Sequence, residues 1–177
     1  MGQAVRFYRA ADGEVRLPAP RLDELELTRW QPHRDGPPAG LFASNANRAW
    51  WAMDLAGQFP RPDLTVYASH RGEDLLHRLL VTPKWHRFPF MHRLDMQMGD
   101  LWTAPEMRGK GLAAQAIAAV HADFAGKVPA LWYVVDEDNA PSIRLIERIG
   151  YRLAGTGVRT RPFGIGALGQ FRLTQPA

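Results

Sequence analysis

The 177-residue sequence predicts a mixed α/β protein in one domain, residues 1–177. Three observations carry this. Strand-like and helix-like periods alternate in the order strands, strand–helix, strand–helix, strands, which is neither an all-helical nor a sandwich pattern. The length corresponds to about one domain and suffices to bury roughly 70% of the unfolded surface. A composition of 46% hydrophobic and 23% charged residues is that of an ordinary soluble domain.

The elements follow in order. Val5–Arg9 and Glu14–Leu17 read as a hairpin about Ala11-Asp12-Gly13, closed by Pro18 and Pro20. Leu25–Trp30 alternates apolar and polar residues, a half-buried strand. Pro32–Gly40, with three prolines and two glycines, reads as a loop. Asn45 or Asn47 can cap a helix carrying Trp50, Trp51, Met53, Leu55 and Phe59, stopped by Gly57 and Pro60. Leu64–His70 and Leu75–Thr82 flank the turn Arg71-Gly72-Glu73-Asp74. The loop Pro83–His92 is dense in aromatics and cations, fitting either a hydrophobic plug or a wall of a substrate site. Asp95–Thr103 is a strand, Gly111–Ala125 a helix stopped near Gly126, and Leu131–Val135 a short apolar strand. Asp138 or Asn139 can cap a helix with Pro141 in its first turn and Gly150 after its last residue. Tyr151–Val158 and Gln170–Thr174 can pair as the final strands.

The charge and residue usage narrow the function. The net charge is +4, and of 22 Lys+Arg only Lys84, Lys110 and Lys127 are lysines. An Arg bias fits a coding composition rich in G and C, and it also fits an anionic ligand, which the guanidinium fork grips. The cations are scattered without a basic run, which argues against nucleic acid. Absence of cysteine removes disulfides, thiolate metal sites and a thiol nucleophile. The six histidines show no tight ligand spacing, so no metal is expected. No stretch reaches the ~18 apolar residues of a membrane span, and the first residues do not read as a signal peptide, so a cytoplasmic location is expected.

The chemistry concentrates in Leu101-Trp102-Thr103-Ala104-Pro105-Glu106-Met107-Arg108-Gly109-Lys110-Gly111-Leu112-Ala113. A strand enters a Gly-rich turn that opens a helix. Glycines let the backbone approach a ligand, and the free N–H groups of the helix start favour an anion. The spacing and the lack of a Lys-Ser/Thr pair exclude a Walker loop, and a missing third glycine excludes a dinucleotide fingerprint.

Arg108-Gly109-Lys110-Gly111-Leu112-Ala113 resembles the pyrophosphate loop of the GNAT superfamily of acyl-CoA-dependent N-acetyltransferases. Asn139-Ala140-Pro141-Ser142 with Ile146-Glu147-Arg148-Ile149-Gly150-Tyr151 resembles that family's later helix. The two motifs stand one helix and one strand apart and cover about residues 95–158. The resemblance implies a GNAT-like fold: a central, mostly antiparallel sheet splayed at a bulge and flanked by helices. It implies acetyl-CoA as cosubstrate and direct attack of a neutral amine on the thioester. Leu101, Trp102 and Thr103 would lie along the pantetheine arm, with the Leu101 N–H polarising the thioester carbonyl. Backbone N–H groups of Arg108, Gly109, Lys110, Gly111, Leu112 and Ala113 would hold the pyrophosphate, and Asn139 and Ser142 would sit near the pantetheine or leaving sulfur.

Two departures from the family pattern matter. Where several members carry a catalytic Glu this sequence has Gln97, which can orient substrate or water but cannot take a proton. Asp95, expected on the same side of the strand, is the chosen base, with His86 and His92 as rivals. Where members carry a Tyr acid this sequence has Ile146, and Tyr133 is the candidate replacement beside its reading as a core aromatic. His86, Phe88, Phe90 and His92 are the candidate acceptor wall. The segment 88–103 with Trp132–Asn139 further resembles bacterial GNAT proteins of surface-polysaccharide synthesis, which implies an amino-sugar acceptor. Amino acids, polyamines, aminoglycosides and protein amines are the alternatives, as is a non-catalytic CoA-binding or sensing module. The expected assembly is a monomer or homodimer.

Overall fold

The computed structural model describes residues 2–11, 15, 25–35, 45–59, 64–165 and 169–177. Its elements are β1 (Gln3–Ala11), β2 (Glu26–Trp30), α1 (Pro32–Asp35), α2 (Asn45–Leu55), β3 (Thr65–Arg71), β4 (Asp74–Pro83), β5 (Met96–Thr103), α3 (Leu112–Phe124), β6 (Ala130–Asp136), α4 (Ala140–Ile149), β7 (Arg152–Arg159) and β8 (Phe171–Pro176). The predicted mixed α/β class is observed. Most boundaries differ from the sequence reading by one or two residues.

The chain divides into two compact units. The first comprises Met1–Arg16, Lys84–Gln97 and Ala125–Ala177; the second comprises Leu17–Pro83 and Met98–Phe124. In the first unit the strands lie in the order β6-β1-β7-β8. β1 runs antiparallel to both neighbours, with Val5 opposite Asp136 on one side and Gly157 on the other. Phe7 and Tyr8, consecutive on β1 and so on opposite faces, are both fully buried. Both edges of β1 are occupied, which corrects the expected N-terminal hairpin on Val5–Arg9. Of the expected turn at 11–13 and strand at 14–17, residues 12–14, 16 and 17 lie outside the described residues, as do the prolines at 18 and 20. α4 is clipped to β1 by the Tyr8 hydroxyl, which donates to Glu147 Oε1 at 2.7 Å.

In the second unit the order is β2-β3-β4-β5, with β2 antiparallel to β3 and β3 to β4. β3 is buried from Thr65 to His70. α3 turns Leu112, Ala116, Ile117, Val120 and Phe124 inward. Each large apolar side chain so buried contributes about 1.5–3 kcal/mol. The helix is fixed to β3 by polar contacts as well: the Tyr67 hydroxyl donates to Asp123 Oδ2 at 2.6 Å, and Arg29 Nε approaches the same oxygen at 3.1 Å.

Two expectations need correction here. Pro32–Asp35 is a short helix, not the start of a loop; proline suits a first turn, where no N–H is required. The Asp35 carboxylate reaches back to the Gln31 N–H and holds that turn. The remainder of the expected loop, 36–40, lies outside the described residues. Asn45 and Asn47 do not precede α2: Asn45 is its first residue, and Asn47 is buried inside it.

Candidate functional site

The Gly-rich segment belongs to the second unit, and packing on both sides makes it project. Met107, at the end of a 3-10 turn (Pro105–Met107), and Leu112, the first residue of α3, share one buried cluster with Leu76 and Ala104. Between these anchors Arg108, Gly109 and Lys110 are exposed. Gly109 and Gly111 have φ of +77° and +89°, a region that costs side-chain-bearing residues. A Cβ on Gly109 would meet nothing within 4 Å, so backbone conformation demands glycine there and packing does not.

The resemblance assigns six N–H groups to an anion, and the structure separates them. The Arg108 and Lys110 N–H groups turn inward to the carbonyls of Pro105 and Met107, at 3.3 and 3.4 Å. Those of Gly109, Gly111, Leu112 and Ala113 have no acceptor among the described residues. Four unspent donors at a helix start, flanked by Arg108 and Lys110, fit a phosphate or diphosphate. Lys110 Nζ rests on Met107 Sδ at 3.7 Å, and Arg108 Nε donates to the Thr103 carbonyl at 3.4 Å.

The root of this segment contains residues that sequence reasoning did not single out. His77, fully buried on β4, bonds through Nδ1 to Thr103 Oγ1 at 2.8 Å, while its Nε2 has no partner. Burial, then the neighbouring Arg78 charge, lowers its pKa to about 4, so it is neutral at pH 7. Asp100, inside β5 and immediately before Leu101, has a φ of +45°, an irregularity in the strand. Its carboxylate takes two bonds from Arg78 at 3.2 Å and one from Trp50 Nε1 at 3.3 Å. The Arg78 guanidinium also lies over the Trp102 ring, at 5.7 Å. A positive φ at an aspartate leaves no mark in an unaligned sequence.

In the first unit Asp95 does not lie on the strand, as expected, but in the turn just before β5. Its amide donates to the His92 carbonyl at 3.0 Å. Its Oδ2 accepts from the His92 N–H at 2.9 Å and from Trp132 Nε1 at 2.8 Å. The residue is only 3% exposed, and Oδ1 has no partner. Gln97 is buried on β5.

Of the four acceptor-wall candidates, the two phenylalanines are packed and the two histidines are exposed. Phe88 stacks parallel to Phe171 at 5.4 Å, and Phe90 meets Phe7 and Trp132 edge-on at 4.7 and 4.9 Å. His86 packs edge-on to Trp85 at 4.5 Å, and His92 Nδ1 accepts from the Leu94 N–H at 3.4 Å. Within this loop the phenylalanines thus pack against other rings and the histidines face solvent.

Three other predicted residues come together at α4. Asn139 caps the helix, its Oδ1 accepting from the Ser142 N–H at 3.3 Å. The Tyr133 hydroxyl is hydrogen-bonded to the Ser142 side chain. Burial raises its pKa and the Ser142 bond opposes the rise only in part. Ile146 is fully buried. Among the described residues, no group of His, Asp or Glu is placed to hold a metal, and no helix is long and apolar enough to cross a membrane.

A family model described as FR47-like protein matches residues 90–160, the span that holds both motifs. No curated protein matches the chain. Among solved structures it resembles a GCN5-related N-acetyltransferase from Kribbella flavida (TM-score 0.50, 15% identity, 86% of this chain and 55% of that one). It also resembles a GNAT-family protein from Novosphingobium aromaticivorans (0.54, 20%, 88% and 62%). A third likeness is to a GCN5-related glucosamine N-acetyltransferase region of a fungal multi-domain β-N-acetylglucosaminidase (0.56, 15%, 86% and 20%). The chain spans less than two thirds of the length of each. At these identities the likeness is one of architecture: the chain has the fold of the GNAT acetyltransferases.

Proposed function

We propose that the chain transfers an acetyl group from acetyl-CoA to a primary amine of a small molecule, by direct attack without an acyl-enzyme. The observation that carries this reading is the set of unspent N–H groups on Gly109, Gly111, Leu112 and Ala113 beside two cations. Its open face at Gly109 fits a coenzyme diphosphate. The coenzyme supplies an activated acetyl thioester. The Leu101 N–H, directly after the irregular Asp100, polarises the thioester carbonyl. Trp102 and Thr103 line the pantetheine arm.

The acceptor amine is mostly ammonium at pH 7 and must lose a proton. Asp95 is the base we assign: Oδ2 is held by Trp132 and His92, which orients the carboxylate, and Oδ1, buried without a partner, is the oxygen left to take the proton. Gln97 and the exposed His86 and His92 position the acceptor. Tyr133, which its raised pKa keeps protonated, is the proton donor for the departing thiolate. Ser142 and Asn139 orient it. An amino sugar is the acceptor we favour, because amide, imidazole and carboxylate groups suit a polyhydroxyl ligand.

Isothermal titration with acetyl-CoA and release of free thiol across a panel of amines test this; absence of acetyl-CoA binding overturns it. Asp95→Asn keeps an oxygen for Trp132 and His92, so it lowers turnover about a hundredfold and leaves donor affinity unchanged. Unchanged turnover removes Asp95 from the mechanism. Gln97 and Ile146, standing where family members carry a Glu and a Tyr, favour a second reading as a non-catalytic CoA-binding module. Binding without thiol release from any amine would establish that reading.

A further inference from the structure

We propose that Arg87 and Arg159, gathered around Phe171, form a second anion site in the first unit, one that takes a phosphate group. Each guanidinium carbon lies 5.5 Å from the centroid of the Phe171 ring, so twice that distance is the most that can separate them. The fold imposes this proximity. Arg159 is directly opposite Phe171 in the β7–β8 pairing, and the Phe171 N–H donates to the Arg87 carbonyl at 2.8 Å. Arg87 lies over a second ring, Trp85, at 5.7 Å.

Two features point to a ligand. First, no carboxylate pairs with either arginine among the described residues. Arg161, close by, is held only by the neutral Gln3 amide, at 3.2 Å. Like charges brought together at part-buried positions repel unless an anion joins them, and burial and the Arg159 charge lower the Arg87 pKa accordingly. Second, the Nε atoms of both arginines are buried without an acceptor. A cation–π contact uses no N–H group of the guanidinium, and it is the N–H groups that grip phosphate in a fork. Phosphate satisfies both features at once. The group can belong to the acceptor or to the 3′-phosphate of the coenzyme.

The Nε–H resonances of Arg87 and Arg159 provide the test, in the full chain titrated with inorganic phosphate at constant ionic strength. Both are expected to shift saturably with phosphate and not with chloride. Arg159→Gln or Arg87→Gln is expected to weaken the phosphate affinity about tenfold or more, and Arg159→Lys, which keeps charge but loses the fork, to weaken it less. The shifts persist in Gly111→Val, so the outcome is independent of the donor loop. If CoA moves these resonances and dephospho-CoA does not, the 3′-phosphate is the occupant; if phosphate moves them and CoA does not, the acceptor carries it. A response to phosphate that never saturates, or that chloride reproduces, overturns the site, and the unmodified chain alone decides this.

Discussion

Two strand-to-helix junctions in this chain solve the same problem in opposite ways. Every helix begins with N–H groups that lack intrahelical partners. At α4 the chain answers with its own side chains: Asn139 accepts from the Ser142 N–H, and Pro141 removes a donor outright. At α3 no such answer is given; Gly109, Gly111, Leu112 and Ala113 keep their donors, and the loop carries Arg108 and Lys110. The first junction is complete in itself, whereas the second leaves its donors to solvent or to a ligand. An unanswered helix start beside positive charge is therefore the feature on which the proposed donor site rests.

The largest effect is expected from closing the open junction. Valine at both Gly109 and Gly111 must adopt φ near +77° and +89° or rebuild the loop. Either outcome turns N–H groups away and puts side chains where the ligand lies. Acetyl-CoA binding is expected to fall below detection by titration calorimetry, while Leu112 and Met107, still buried, keep the helix in place. Full binding in this double variant would mean that the anion does not use these donors.

The next effect concerns the root of the same junction and is read through pH. Protonating His77 would bury a charge beside Arg78, with Nε2 unpartnered, and the Trp102 backbone offsets this only in part. Its pKa is near 4 in the folded chain, against about 6.5 unfolded. Between those values the unfolded chain binds more protons, so stability rises with pH across this window. His77 thus contributes fully above pH 6.5, and roughly 3 kcal/mol is lost as pH falls to 4. Urea denaturation at several pH values measures it. His77→Gln should flatten that part of the profile; an unchanged profile would show that another group carries the acid sensitivity.

The two junctions were legible in the sequence because their signals are local: glycines where φ is positive, Asn139 three residues before Ser142, Gly150 after the last turn. What was not legible depends on distant partners. β1 looked like half of a hairpin because its true neighbours, β6 and β7, lie more than a hundred residues away. Asp95 was chosen for its spacing to Gln97. Its real environment is set by Trp132, thirty-seven positions on, whose indole donates to it. The short α1 was hidden by Pro32 and the prolines that follow it in the sequence, although the carboxylate of Asp35 was there to close the turn on Gln31. His77 and Thr103 join only once β4 and β5 are in place.

The smallest effect tests the self-sufficient junction. Asn139→Ala removes the side-chain oxygen that the Ser142 N–H uses and costs about 1 kcal/mol of stability. Gly150→Ala, at the other end of α4 with a φ of +107°, costs a similar amount. The two sites are a helix length apart, so their effects should add in thermal or urea denaturation. If Asn139 only caps α4, its loss leaves acetyl-CoA affinity within about threefold of the parent, since that junction has spent its donor on itself. A larger fall, with Gly150→Ala still binding normally, would show that Asn139 also reaches the coenzyme, as its place in the second motif implies. The contrast between the junctions would then be one of degree, with the capped helix contributing a side chain and the uncapped one its backbone.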